Sequence, residues 1–173
     1  QVLLLENKKE QENECDQDEN DDESGGEEGG DDTRVQTVEL GVTVDVFKDK
    51  VDGITVGKWR YRYNSREQIV VAQYAPTAVG ALELELSDMP AEECRFTGGE
   101  LLPVDRIGID GHPELIELTL RDWDLGDIDD MSYMFEACSS MITVNGIQNW
   151  DTGNVKKMNG MFYGCESLTK VDG

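Results

Sequence analysis

From Thr37 onward, apolar and polar positions alternate. Val38, Leu40, Val42, Val44 and Val46 share one face, and Thr37, Glu39, Gly41, Thr43 and Asp45 share the other. That period of two predicts a half-buried strand over 37–46. Asp52–Gly53 is a hairpin turn signal. After it, Ile54 and Val56 lead to Gly57, read as a bulge that moves the buried phase to Trp59, Tyr61 and Tyr63. Asn64–Ser65 turns the chain, residues 68–74 form another strand, and Pro76 ends it. Leu82, Leu84 and Leu86 alternate with Glu83 and Glu85 in a fourth strand. The pattern predicts a small antiparallel β-module over 34–99, a sandwich or an open meander. Residues 89–103, holding Gly98–Gly99, read as a connecting loop.

Beyond residue 100 the pattern repeats. Trp123–Asp124–Leu125–Gly126–Asp127–Ile128 lies over Trp150–Asp151–Thr152–Gly153–Asn154–Val155, and Met131 to Cys138 lies over Met158 to Cys165, at a constant offset of 27 residues. Leu115, Leu118 and Leu120 precede the first tryptophan; Met141, Val144 and Ile147 precede the second; Leu168 and Val171 begin a third copy. A fixed period in the twenties predicts a solenoid over 100–173, because no single unit can bury its own apolar face. Each coil is expected to hold a short strand at the L-x-x-L-x-L phrase. Met131, Met134, Phe135 and Cys138, like Met158, Met161, Phe162 and Cys165, have the i, i+3, i+4, i+7 spacing of a helical face. Ile107 and Ile109 read as a degenerate first coil. Trp123 and Trp150 are expected to pack between coils, with Asp124 and Asp151 capping turns. Cys138 and Cys165 should stack about 5 Å apart, as buried thiols rather than a disulfide. The fold expected overall is mostly β with short helices: the antiparallel module followed by an α/β solenoid.

The string W-D-T-G-N-V-x-x-M-x-x-M-F-x-G-C-x-S-L-T-x-V-D-G resembles the repeat of the BspA-type leucine-rich repeat surface proteins, a unit also noted in mycoplasma lipoproteins. Trp150, Asp151, Thr152, Asn154, Val155, Met158, Met161, Phe162, Cys165, Ser167 and Leu168 carry the likeness. The earlier coil departs from it at Leu125, Asp127 and Ala137, as end coils do. The resemblance implies a leucine-rich-repeat solenoid on an exported protein, displayed on a cell or virion surface, with adhesion as its role. Because Gly173 corresponds to Gly146, in mid-coil, the polypeptide is expected to continue with more repeats.

Charge changes the picture of partners. The 173 residues carry a net charge of −23, which disfavours nucleic acid and anionic membrane surfaces; the chain also lacks a membrane-spanning apolar run. Residues 1–33 hold 14 acids against Lys8 and Lys9, a composition expected to form a disordered acidic linker that attracts divalent cations diffusely. Within it, Asp16, Asp18, Asn20, Asp22, Ser24 and Glu27 fall at the ligand positions of a calcium loop. Asp21, however, stands where that loop needs glycine.

Catalytic patterns do not emerge. His112 is the only histidine, and no nucleophile-elbow, zinc-protease, P-loop or C-x-x-C motif occurs. The chain reads as a non-enzyme without a cofactor. Lys58, Arg60 and Arg62 line the outward face of the aromatic strand. They are expected to pair with Glu83, Glu85 or similar acids, or else to mark an interaction site. The reading is an extracellular, surface-displayed repeat protein that binds a protein or glycan. Its alternative is a structural component of an external assembly, such as a virion decoration or surface layer, formed as a lattice or homo-oligomer.

Overall fold

The computed structural model describes residues 35–172. It is mostly β, with short helices: β1 (Thr37–Glu39), α1 (Val44–Asp49), β2 (Ile54–Val56), β3 (Trp59–Asn64), β4 (Ile69–Tyr74), β5 (Gly80–Leu84), β6 (Glu93–Arg95), β7 (Leu101–Gly108), β8 (Leu115–Leu120), β9 (Thr143–Asn145) and β10 (Lys170–Val171). The strands form two sheets. One has six strands in the order β1-β6-β7-β4-β3-β2, and the other has four in the order β10-β9-β8-β5.

The long amino-terminal strand is not formed. The chain leaves β1 after Glu39 and bends at Gly41, where φ is 69°. Thr43 then caps α1, its side chain accepting from the Val46 amide; Asp45 sits in the first turn and Lys48 in the last. Cap and charge placement favour a helix at this point. The helix drives Phe47 into the core against Phe96, with ring centroids 5.2 Å apart, and leaves Val46 exposed. A cap and one aromatic anchor outweigh the period-two pattern.

Asp52–Gly53 joins α1 to β2 rather than closing a hairpin. The hairpin turn is Gly57–Lys58, between Val56 and its partner Trp59, with Gly57 at φ 62°. Gly57 is therefore a turn residue, not a bulge. Trp59 and Tyr61 are buried, as the alternation requires.

Mixed pairing replaces the antiparallel module. β2, β3 and β4 are antiparallel, but β4 runs parallel to β7 and β1 parallel to β6. The segment read as a loop over 89–103 contains β6 and the hairpin into β7. β5 is neither in this sheet nor as long as the leucine alternation suggested: it stops at Leu84 and pairs in parallel with β8. Ile107 belongs to β7, and the chain just beyond it docks on the following segments, the Ile109 amide donating to Met134 O and that of Gly111 to Glu136 O.

Segments one repeat apart lie in parallel register. Leu118 pairs with Val144 and Val144 with Val171. Between these strands, Met131 to Cys138 forms successive turns rather than an α-helix. Tyr133 and Ala137 have φ near 60°, and one repeat later Gly160 and Gly164 have φ of 60° and 76°. A left-handed residue every fourth position interrupts helical propagation. It also turns alternate amides sideways: Met131, Tyr133, Phe135 and Ala137 donate to the carbonyls of Lys157, Asn159, Met161 and Tyr163. Met131, Met134, Phe135 and Cys138 remain buried, and Phe135 stacks on Phe162 at 5.2 Å and 20°. A continuous apolar core runs from Val38 to Val144.

Candidate interaction surface

On the four-stranded sheet, residues at alternate positions point away from the core. Ala81, Glu117, Thr143 and Lys170 form one outward row, and Glu83, Thr119 and Asn145 the next. Asn145 Nδ2 donates to Glu117 Oε1 at 3.0 Å and to Thr119 Oγ1 at 3.3 Å. Arg121 closes the β5 side by pairing with Glu83 at 2.6 Å, and Lys170 pairs with Asp172 at 3.1 Å near β10. The result is a polar sheet face with hydroxyl, amide and carboxylate groups at a regular strand spacing. At one end it opens into a cleft of about 280 Å³ that includes Asn145, Gln148 and Asn149.

The basic stripe on β3 is divided. Lys58 pairs with Asp88, Arg60 Nη2 donates to Gln73 Oε1 at 2.6 Å, and Arg62 is exposed. The expected partners Glu83 and Glu85 are not used for this, since Glu83 is on a strand of the other sheet. The Asp88 carboxylate, despite burial that pushes its pKa up, lies below its usual value because Lys58 and the Glu85 amide bond to it.

Trp123 is buried, its indole donating to Glu85 O at 2.9 Å. Trp150 is half-buried, and its indole nitrogen has no partner. Asp124 and Asp151 accept the amides of Gly126 and Gly153 at 3.0 and 2.9 Å, the same turn one repeat apart. Met131, Met134, Phe135 and Cys138 are buried. In the following repeat, Met158 is exposed and Met161, Phe162 and Cys165 are half-buried. Cys138 and Cys165 are free thiols that donate to Ile109 O and Phe135 O. Burial pushes the Cys138 thiol up to about 11 and Cys94 up to about 12, so neither is a nucleophile near neutral pH.

Sequence reasoning missed a buried ion group. Arg106 on β7 bonds both Asp130 and Glu67 at 2.6 Å, and Asp130 also accepts the Ser132 amide. These contacts hold Asp130 below the usual carboxylate range against a desolvation that works the other way. The positions lie far apart in the chain and belong to no local pattern.

The calcium candidates Asp16, Asp18, Asn20, Asp22 and Glu27 lie outside the described residues. Among the described residues no group of three or more His, Cys, Asp or Glu side chains is placed to hold a metal ion, and no helix is long and apolar enough to cross a membrane.

Residues 111–172 match the family described as "Mycoplasma protein of unknown function, DUF285". The match spans β8, β9, β10 and both runs of turns. No curated protein and no solved structure matches the chain.

Proposed function

We propose that the chain is a surface-displayed repeat protein of the BspA-like leucine-rich-repeat kind, with the outward face of the four-stranded sheet as its contact surface for an extracellular protein or glycan. The observation that carries this reading is the parallel register of β5, β8, β9 and β10, with polar side chains at corresponding outward positions. A face of this kind offers fixed donors and acceptors on rigid strands, which lowers the entropy lost on binding. The family match over β8, β9 and β10 supports it, as does the repeat resemblance. The strongly acidic composition favours partners that are neutral or basic.

A solid-phase assay with immobilised extracellular-matrix proteins and glycans tests the reading. Retention of the chain by one of them should weaken about tenfold or more when Asn145 and Glu117 are both changed to Arg. Failure to retain the chain above background on any of them, or equal retention of the double variant, would count against the sheet face. Digestion by external protease on intact cells tests display separately.

A further inference from the structure

A separate cleft lies where the two sheets meet. β4 and β7 are parallel neighbours in the six-stranded sheet, with Gln73 beside Gly108 at their carboxyl ends. The chains that leave them re-enter the other sheet as β5 and β8, again parallel neighbours, with Gly80 beside Leu115. Between exit and re-entry the two connections part and leave a cleft of about 320 Å³. Crevices at the carboxyl ends of parallel strands, where the chain changes direction, are places where sheets take ligands.

Arg60, Gln73, Thr77, Asp110, His112 and Glu114 supply the polar groups of this cleft. Three of them are joined: Arg60 Nη2 donates to Gln73 Oε1 at 2.6 Å, and Gln73 Nε2 donates to Asp110 Oδ2 at 2.8 Å. The neutral amide thus holds a guanidinium and a carboxylate at a set separation without letting them neutralise each other. Arg60 keeps unused N–H groups and Asp110 keeps acceptor capacity. Gly108 leaves room for that carboxylate, since a Cβ there would come 2.2 Å from Asp110 Oδ1.

His112 is the second observation. It is 8% exposed, its ring meets Tyr74 edge-on at 5.7 Å, and Nε2 has no partner in the protein. The ring hydrogen-bonds the backbone of Tyr74, and burial pushes its pKa below the ordinary value, which favours the neutral imidazole. Nε2 is buried within the wall of the cleft, so the ring is held at the site without a polar partner of its own on that side.

We propose that this cleft binds a neutral monosaccharide or the terminal sugar of a glycan. Vicinal hydroxyls both donate and accept. They complement a row of guanidinium, amide and carboxylate groups, and the half-apolar wall made by the Tyr74 and His112 rings suits the face of a sugar ring. The lining carries Arg60 against Asp110 and Glu114 in a chain of net charge −23, which opposes anions. The volume is ample for one hexose ring. The site is separate from the sheet face and does not depend on it.

The test uses the full chain and its single histidine. The imidazole resonances of His112 are unambiguous in a heteronuclear NMR spectrum and report directly on the cleft. Glucose, galactose, mannose and N-acetylglucosamine are titrated separately, with glycine and inorganic phosphate as comparison probes. At least one sugar should move the His112 signals saturably, with a dissociation constant on the order of 1 mM. Arg60→Met and Asp110→Asn should each weaken that binding about tenfold, while the Asn145 and Glu117 variants leave it unchanged. Unfolding midpoints show whether each variant is intact, and Gly108→Ala, which displaces the Asp110 carboxylate without altering charge, gives an independent reading. No response to any sugar would overturn the proposal. So would a response to glycine or phosphate alone, or one that survives in folded Arg60→Met and Asp110→Asn.

Discussion

At Ala137 and Gly164 the backbone makes the same left-handed turn one repeat apart, with φ of 59° and 76°. Only the second position has the residue that adopts it without strain. Ala137 is exposed, so its methyl group contributes little packing. Ala137→Gly is therefore expected to stabilise the chain by about 0.5–1 kcal/mol in equilibrium urea unfolding. Gly146→Ala is expected to act in the opposite direction and more strongly. Its Cβ would lie 2.0 Å from Leu120 O, a backbone atom that cannot move aside, whereas the nearest atoms at Gly164 are 3.4 Å away. A loss of about 2 kcal/mol or more at Gly146, against about 1 kcal/mol for Gly164→Ala, would separate a clash from simple backbone strain. His112 gives a pH dependence with a definite sign. Burial depresses the imidazole below its ordinary value of 6.5, with neighbouring Asp110 opposing. Its folded form therefore favours the neutral ring. Its contribution to stability is complete above the unfolded value and declines as pH falls below it. Unfolding free energy should drop between about pH 7 and pH 5, and His112→Gln should flatten that slope. Asp110, raised by burial, contributes with the opposite sign as its own carboxyl protonates.

Among the elements, α1 and the repeated turns show how local chemistry overrides periodicity. Five alternating apolar residues at 38–46 read as a strand, but a threonine cap followed by Phe47 makes the second half helical. The i, i+3, i+4, i+7 spacing of Met131, Met134, Phe135 and Cys138 identified the buried side chains but not the backbone that presents them, because turns with a left-handed residue every fourth position bury the same set. Gly160 and Gly164 were a legible signal of that backbone; Tyr133 and Ala137, at the same positions one repeat earlier, concealed it. The energetic centre of the turns is the Phe135–Phe162 stack. Phe135→Ala removes a fully buried ring and should cost about 3–5 kcal/mol. Equilibrium urea unfolding of the variant measures that loss.

Over the whole molecule, Arg106 ties together parts that have no sequence relation. It leaves β7 and bonds Glu67 at the β3–β4 turn as well as Asp130 at the head of the stacked turns. The side chain of Asp130 is 6% exposed and that of Glu67 40%. Asp130→Asn should therefore destabilise by about 3 kcal/mol, since it leaves a buried guanidinium short of its counter-charge. Glu67→Gln should cost about 1 kcal/mol or less because water screens it. Denaturant unfolding of both variants measures the difference. Within the sequence itself, the apolar spacing determined that residues 115–171 recur and that Leu118, Phe135, Cys138 and Val144 face inward, because a repeat that cannot bury its own apolar face must stack on its neighbour. Composition likewise determined the acidic surface. The tertiary structure alone decided that β4 and β5, adjacent in the chain, enter different sheets, that β7 completes the first sheet, and that Arg60, Gln73, Asp110 and His112 line one cleft. Parallel pairing joins strands through long connections, so it leaves no local signature. Which strands meet, and which polar side chains are thereby brought together, is settled only when the whole core closes.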